Sequence, residues 1–175
     1  AGGRLYFAHL LLPHGPYVWD QDCRMRDDSD TWLSSRLEHE DLLTLSNPHY
    51  RKTAYEIYFQ QTRCTVSLLD ALFTSIEQAV MLDDATIIIH GDHGSRITVS
   101  DPVAPMAEYT TDRDYIDAFS TLFVIRSPEI EPGYDGQIRA IQHLFAELVL
   151  GMPAPEDDRT VFLHSGQSIQ RKQME

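Results

Sequence analysis

The sequence predicts an α/β domain with a partly parallel or mixed sheet flanked by helices. Three observations point there. Thr86-Ile87-Ile88-Ile89 is a β-branched run without polar alternation, the pattern of a strand buried on both faces. Ahead of it, Tyr55, Tyr58, Phe59, Thr62, Val66, Leu69, Leu72, Phe73, Ile76 and Val80 recur at three- and four-residue steps, the amphipathic helix period. A long helix feeding a buried strand is half of a βαβ crossover, and a further strand and helix follow.

In chain order, residues 4–12 read as the first strand, with Leu5, Tyr6, Phe7 and Leu10 to Leu12 around a lone polar His9. Pro13 and Pro16 break it, since each lacks an N–H and restricts its predecessor. Residues 18–30 carry Asp20, Asp22, Asp27, Asp28 and Asp30 with few apolar groups, and read as a loop. Residues 31–45 read as a short helix. Ser46-Asn47-Pro48 has the form of a helix start, and Asp83-Asp84 ends the long helix that follows. Residues 97–114 read as a loop over the strand end, 118–126 as a strand, 129–136 as a Pro/Gly connection. Residues 138–150 read as a helix stopped by Gly151 and Pro153. The domain then spans residues 1–155, and residues 156–175 are a tail, polar but for an apolar patch at Val161 to Leu163 and mobile after His164.

At 175 residues the chain suits one domain with a real core. Its 14 Lys and Arg against 27 Asp and Glu give a formal charge of -13, and no basic stripe offsets it. Nucleic acid is therefore excluded as a partner, because that affinity rests on phosphate neutralisation. An anionic ester could be held only with a metal or a local arginine. No apolar run reaches the roughly 18 to 20 residues of a membrane span. The opening Ala1-Gly2-Gly3-Arg4 leads straight into the first strand, which points to a chain cut from a longer one. Cys23 and Cys64 fit no zinc or CxxC spacing; one disulfide and two buried thiols are both open on cysteine count.

The chemistry-bearing residues gather at Gly91-Asp92-His93-Gly94. An adjacent carboxylate and imidazole at a strand end can face one cation through oxygen and nitrogen, and they also suit an ordinary turn. Tetrahedral zinc would need two further ligands. Arg96, four residues beyond Asp92, can clamp an anionic oxygen or pair with a surface acid. His14 lies between prolines after the first strand, where side chains reach substrates, while His9 within the strand reads first as a packing residue. Parallel neighbouring strands would bring His14 and the Asp92-His93 pair to one sheet edge.

Residues 7–17, Phe-Ala-His-Leu-Leu-Leu-Pro-His-Gly-Pro-Tyr, are followed by a long helix carrying Asp70 and then by Ile87-Ile88-Ile89-His90-Gly91-Asp92-His93-Gly94. This succession resembles the later half of the sulfatase-like domain of the alkaline phosphatase superfamily, which includes sulfatases, lipoteichoic acid synthases and phosphoethanolamine transferases. The resemblance runs from about residue 5 to residue 126 and implies an alkaline-phosphatase-like fold, incomplete here. It implies that Asp92 and His93 bind a catalytic divalent cation: zinc, manganese, magnesium or calcium. It places His14, and with it His9, against the transferred group or a second metal; Arg96, by its own chemistry, joins them as an anion clamp. The family's nucleophile and a further acidic ligand lie in an earlier half without a counterpart in these residues. The resemblance thus implies part of a metal-dependent hydrolase or transferase of sulfate or phosphate esters, inactive by itself. It also implies an exported parent, periplasmic or at the cell surface, tethered to a membrane by a segment outside this chain. Export favours a Cys23–Cys64 disulfide. The rival reading is a non-catalytic binding module of the same fold; a third is an unrelated small metallohydrolase drawing ligands from His39, His49 or His143.

Overall fold

A computed structural model describes residues 4–31, 47–79, 82, 84–95, 97, 110–153, 160–164 and 169–173. The chain divides into two compact units, Ala1–Met81 and Leu82–Glu175.

The first unit is built on helix α1, Pro48–Ala79. Asn47 caps it: its Oδ1 accepts from the amides of His49 (2.9 Å) and Tyr50 (3.5 Å), and Pro48 opens the first turn without needing a donor. The helical period predicted this element. The stripe it buries differs from the apolar residues that revealed it. Ala54, Ile57, Gln61, Cys64 and Thr65 are the buried positions, spaced by one helical turn, whereas Phe59 and Val66 are 58% and 60% exposed. Against this stripe lies the loop of residues 13–28. Tyr17 is buried there with its ring edge-on to Tyr58 at 5.4 Å. The Cys23–Cys64 disulfide joins loop to helix across 41 residues of sequence. Cys23 takes φ 60°, a left-handed conformation uncommon for a residue with a Cβ. Closing a loop of that length restricts the unfolded chain by about 4 kcal/mol in the chain-entropy account.

Residues 4–12 do not form the predicted strand. They join no sheet among the described residues, with Leu5 95% and Phe7 84% exposed. Residues 18–28 are the expected loop, tightened by turns and by one bridge between Trp19 and Met25, whereas Ser29 and Asp30 are already helical. The short helix expected at residues 31–45 falls, past Thr31, outside the described residues.

The second unit holds two antiparallel two-stranded sheets among the described residues. Strand β1, Ile87–His90, pairs with β2, Phe123–Arg126, in the register Ile87 to Arg126 and His90 to Phe123. Between them lies helix α2, Asp112–Phe119. Helix α3, Ile141–Leu150, ends at Gly151 in the left-handed conformation, as the Gly151 stop predicted. Strands β3, Thr160–His164, and β4, Ile169–Gln173, form a hairpin. The tail was expected to be mobile after His164, yet residues 169–173 pair with β3. Val161 and Leu163, from the apolar patch in that tail, pack with Tyr115 of α2 in the core of this unit.

This architecture overturns the expected parallel or mixed sheet flanked by helices. A parallel sheet needs crossover partners for β1, and the hydrogen-bonded partner of β1 is the antiparallel β2. Nor is β1 buried on both faces: Ile87, Ile88 and Ile89 are half-buried and His90 is exposed. The expected strand at residues 118–126 starts only at Phe123, because Thr111 and Asp114 form a reciprocal capping box that nucleates α2 through Phe119. The signal was Thr111-Asp112-Arg113-Asp114, a hydroxyl followed three residues later by a carboxylate.

Candidate functional site

The Asp92-His93 turn is held by the end of α2. The Gly94 amide donates to the Ala118 carbonyl (2.9 Å) and the Ser95 amide to the Asp117 carbonyl (3.0 Å). Both acceptors are last-turn carbonyls that the helix itself leaves unpaired. The Ser95 hydroxyl lies 2.7 Å from each Asp117 carboxylate oxygen, and the Gly91 amide donates to the Leu122 carbonyl at 3.1 Å. Gly94 permits the approach: a Cβ there would collide with the Asp117 carbonyl and stand 2.7 Å from that of Ser120.

Within the turn, His93 Nδ1 lies 2.7 Å from the Gly94 carbonyl oxygen. A carbonyl only accepts, so this contact is a hydrogen bond when Nδ1 carries the proton, and in that neutral tautomer the lone pair is on Nε2. That nitrogen is 3.7 Å from Asp92 Oδ1. Metal bonds of roughly 2.1 Å set two tetrahedral ligand atoms about 3.4 Å apart, so the pair has close to the spacing of neighbouring ligands. A ligating histidine that donates its other ring nitrogen to a backbone carbonyl is the usual second-layer arrangement. The Asp92 side chain is 82% exposed and that of His93 23%, so a cation could be approached from solvent. Among the described residues no group of three or more His, Cys, Asp or Glu side chains gathers to hold a metal. The two donors fit one edge of a cation's coordination shell, not a complete site.

His9 and His14 belong to the first unit and Asp92 and His93 to the second. His9 is exposed on the segment ahead of Pro13. His14 is exposed at the start of the loop on α1, its Nδ1 beside the Gly15 carbonyl oxygen. The parallel strands that were to align His14 with Asp92-His93 do not form, because residues 4–12 join no sheet. Arg96 lies outside the described residues. Asp70 is exposed on α1, and His90 forms a three-ring cluster with Phe123 and Phe145, 5.3 Å from the latter ring. A surface groove of about 500 Å³, lined by Gln21, Asp22, Phe59, Thr62, Arg63, Val66 and Ser67, includes none of the predicted residues.

Comparison with family models, with curated proteins and with solved structures returns no match.

Two residues that support these positions escaped the sequence reading. Asp117 anchors the Asp92-His93 turn through Ser95. Gln61, fully buried on α1, holds the backbone on both sides of Gly15: its Oε1 accepts from the amides of Val18 (3.0 Å) and Trp19 (3.2 Å), and its Nε2 donates to the carbonyls of Pro13 (3.1 Å) and His14 (2.9 Å). A glutamine one turn from Ile57 and from Cys64 was the available signal, since a polar residue on a buried stripe must find partners.

Near the loop's far end, Arg26 forks onto Asp28 at 2.9 and 2.7 Å and reaches Gln60 Oε1 at 3.1 Å. The Arg26 hydrogen bonds hold the Asp28 carboxyl below its ordinary value, against a smaller opposing effect of desolvation.

Proposed function

We propose that this chain supplies one wall of a metal-dependent site for hydrolysing or transferring sulfate or phosphate esters, in the manner of the sulfatase-like enzymes. The convergence of Asp92 Oδ1 and His93 Nε2 on a turn braced by α2 is the observation that supports this reading. Asp92 offers the anionic oxygen and His93 the neutral nitrogen. The Gly94 carbonyl holds the ring in the tautomer that can donate its Nε2 lone pair. A divalent cation in this setting lowers the pKa of a bound oxygen nucleophile and offsets charge on the transferred group. The resemblance gives His14, and with it His9, a role toward a transferred anion, and Arg96 carries the paired N–H groups that suit an anionic oxygen. The nucleophile and the remaining ligands come from outside these residues, so this chain alone turns over little or no ester. The Cys23–Cys64 disulfide supports an exported, extracytoplasmic parent.

The absence of a third donor beside the pair among the described residues favours one alternative, a non-catalytic module that binds anionic esters without turning them over. Metal binding separates the two. Calorimetric titration of Mn²⁺ and Zn²⁺ into the chain should give saturable binding, weakened about 10-fold or more by Asp92→Ala and by His93→Ala. Binding that both substitutions leave unchanged would remove the metal assignment.

A further inference from the structure

We infer that Gln61 is the positioning residue of His14, setting through the backbone where that imidazole is presented. The proposal rests on the reading of His14 as a contact to the transferred anion, and its geometry lies wholly within the first unit.

Several contacts hold the residues around His14, among them the Tyr17 ring buried against Tyr58. Residues 4–11 ahead of it are exposed, and Pro13 and Pro16 offer no N–H groups. Local backbone bonds include a turn from the His14 amide to the Leu11 carbonyl (2.8 Å), another from Val18 to Pro16 (3.1 Å), and the Arg26 amide on the Val18 carbonyl (2.9 Å). Against that background one side chain spans the segment. The Gln61 carboxamide donates to the carbonyls of residues 13 and 14 and accepts from the amides of residues 18 and 19, so both its polar ends are used on the same loop. Gln61 is fully buried, and its bonds are therefore shielded from competing water. Three residues further along α1, Cys64 fastens the same loop through Cys23. The division of labour follows from these positions. The disulfide keeps the loop on the helix, and Gln61 decides how the part bearing His14 is folded.

No other amino acid repeats this pattern. Glutamate lacks the donors for the two carbonyls and would bury a charge. Methionine, similar in length, makes none of the four bonds. Asparagine is one methylene shorter and cannot reach both chain segments.

The test uses the disulfide-bonded chain with ¹³C-labelled imidazoles, the His14 resonance being assigned through His14→Gln, and inorganic phosphate as the probe. In the wild type the Val18 and Trp19 amides should exchange slowly, phosphate should shift the His14 signal, and Gln60→Met, altering a neighbour that bonds Arg26, should leave both unchanged. Gln61→Met should move the His14 signal toward that of free histidine and weaken its phosphate response by about 10- to 100-fold. A Gln61→Met protein whose His14 signal and phosphate titration match the wild type would overturn the proposal. So would Val18 and Trp19 amides that exchange in the wild type as fast as in an unstructured chain, a measurement that needs no variant to fold. Phosphate that leaves His14 unmoved even in the wild type, while Gln61→Met still displaces the signal, upholds the positioning role and removes the anion contact instead.

Discussion

The Ser95 hydroxyl stands 2.7 Å from each carboxylate oxygen of Asp117, tying the turn that carries Asp92 and His93 to the last turn of α2. Two further bonds between backbone groups run alongside it, so the turn and the helix end form one hydrogen-bonded unit. Asp117→Ala removes a charge-assisted bond in a half-buried setting and should cost about 1.5–3 kcal/mol in urea denaturation. Asp117→Asn, which still offers an acceptor to the hydroxyl, should cost less. Equal losses for the two variants would mean that the Ser95 bond contributes little.

Gly94 and Gly133 make a matched pair of tests. A methyl group at Gly94 meets two backbone carbonyls that cannot rotate away, those of Asp117 and Ser120. Gly94→Ala should therefore destabilise the second unit by about 2 kcal/mol or more and release the turn, seen as faster amide exchange at residues 94 and 95. Around Gly133 nothing lies within 4 Å of the added carbon, and its φ is not left-handed. Gly133→Ala should gain about 0.4–1 kcal/mol by narrowing the unfolded ensemble.

Tyr115 is fully buried between α2 and the β3–β4 hairpin, and its hydroxyl has no hydrogen-bond partner among the described residues. Lys172 Nζ lies 4.3 Å from the centre of its ring and 3.0 Å from Asp112 Oδ1, so the ring is engaged from its face while the oxygen is left bare. Tyr115→Phe keeps the ring and removes the stranded oxygen. It should stabilise the second unit by about 1–3 kcal/mol, read as a higher denaturation midpoint. A loss of stability would show that the hydroxyl is satisfied in solution.

The Arg26–Asp28 fork gives the first unit an acid-sensitive contact. Because the folded-state pKa of Asp28 is lowered, its contribution is complete above the ordinary carboxylate range and is lost as pH falls through the lowered folded value. Arg26→Ala should raise the Asp28 midpoint toward the ordinary carboxylate value in an NMR titration. The effect on stability should be small, since the Asp28 side chain is 58% exposed and the pair is screened by water. An unchanged midpoint would mean that Arg26 is not what holds the carboxyl ionised.

Short-range physics was legible in the sequence. Helix α1 followed from its apolar period and from Asn47-Pro48 at its start, the end of α3 from Gly151, and β1 from its isoleucines, because each depends on neighbours within one or two turns. The Asp92-His93 turn was equally visible as a set of residue types. What the tertiary structure alone decided was which groups meet. Strand pairing joins residues far apart in the chain, so a buried-looking isoleucine run could not announce an antiparallel partner at residues 123–126 in place of a parallel one. Apolar composition likewise marked residues 4–12 for a sheet that they do not join, and the polar residues 169–173 gave no sign of the strand that pairs with residues 160–164. The supports of the candidate residues are non-local in the same way. Gln61 reaches back more than forty residues to the His14 loop, and Asp117 reaches 22 residues to Ser95. Residue chemistry can be read one position at a time, whereas the bonds that orient it exist only once distant segments have packed.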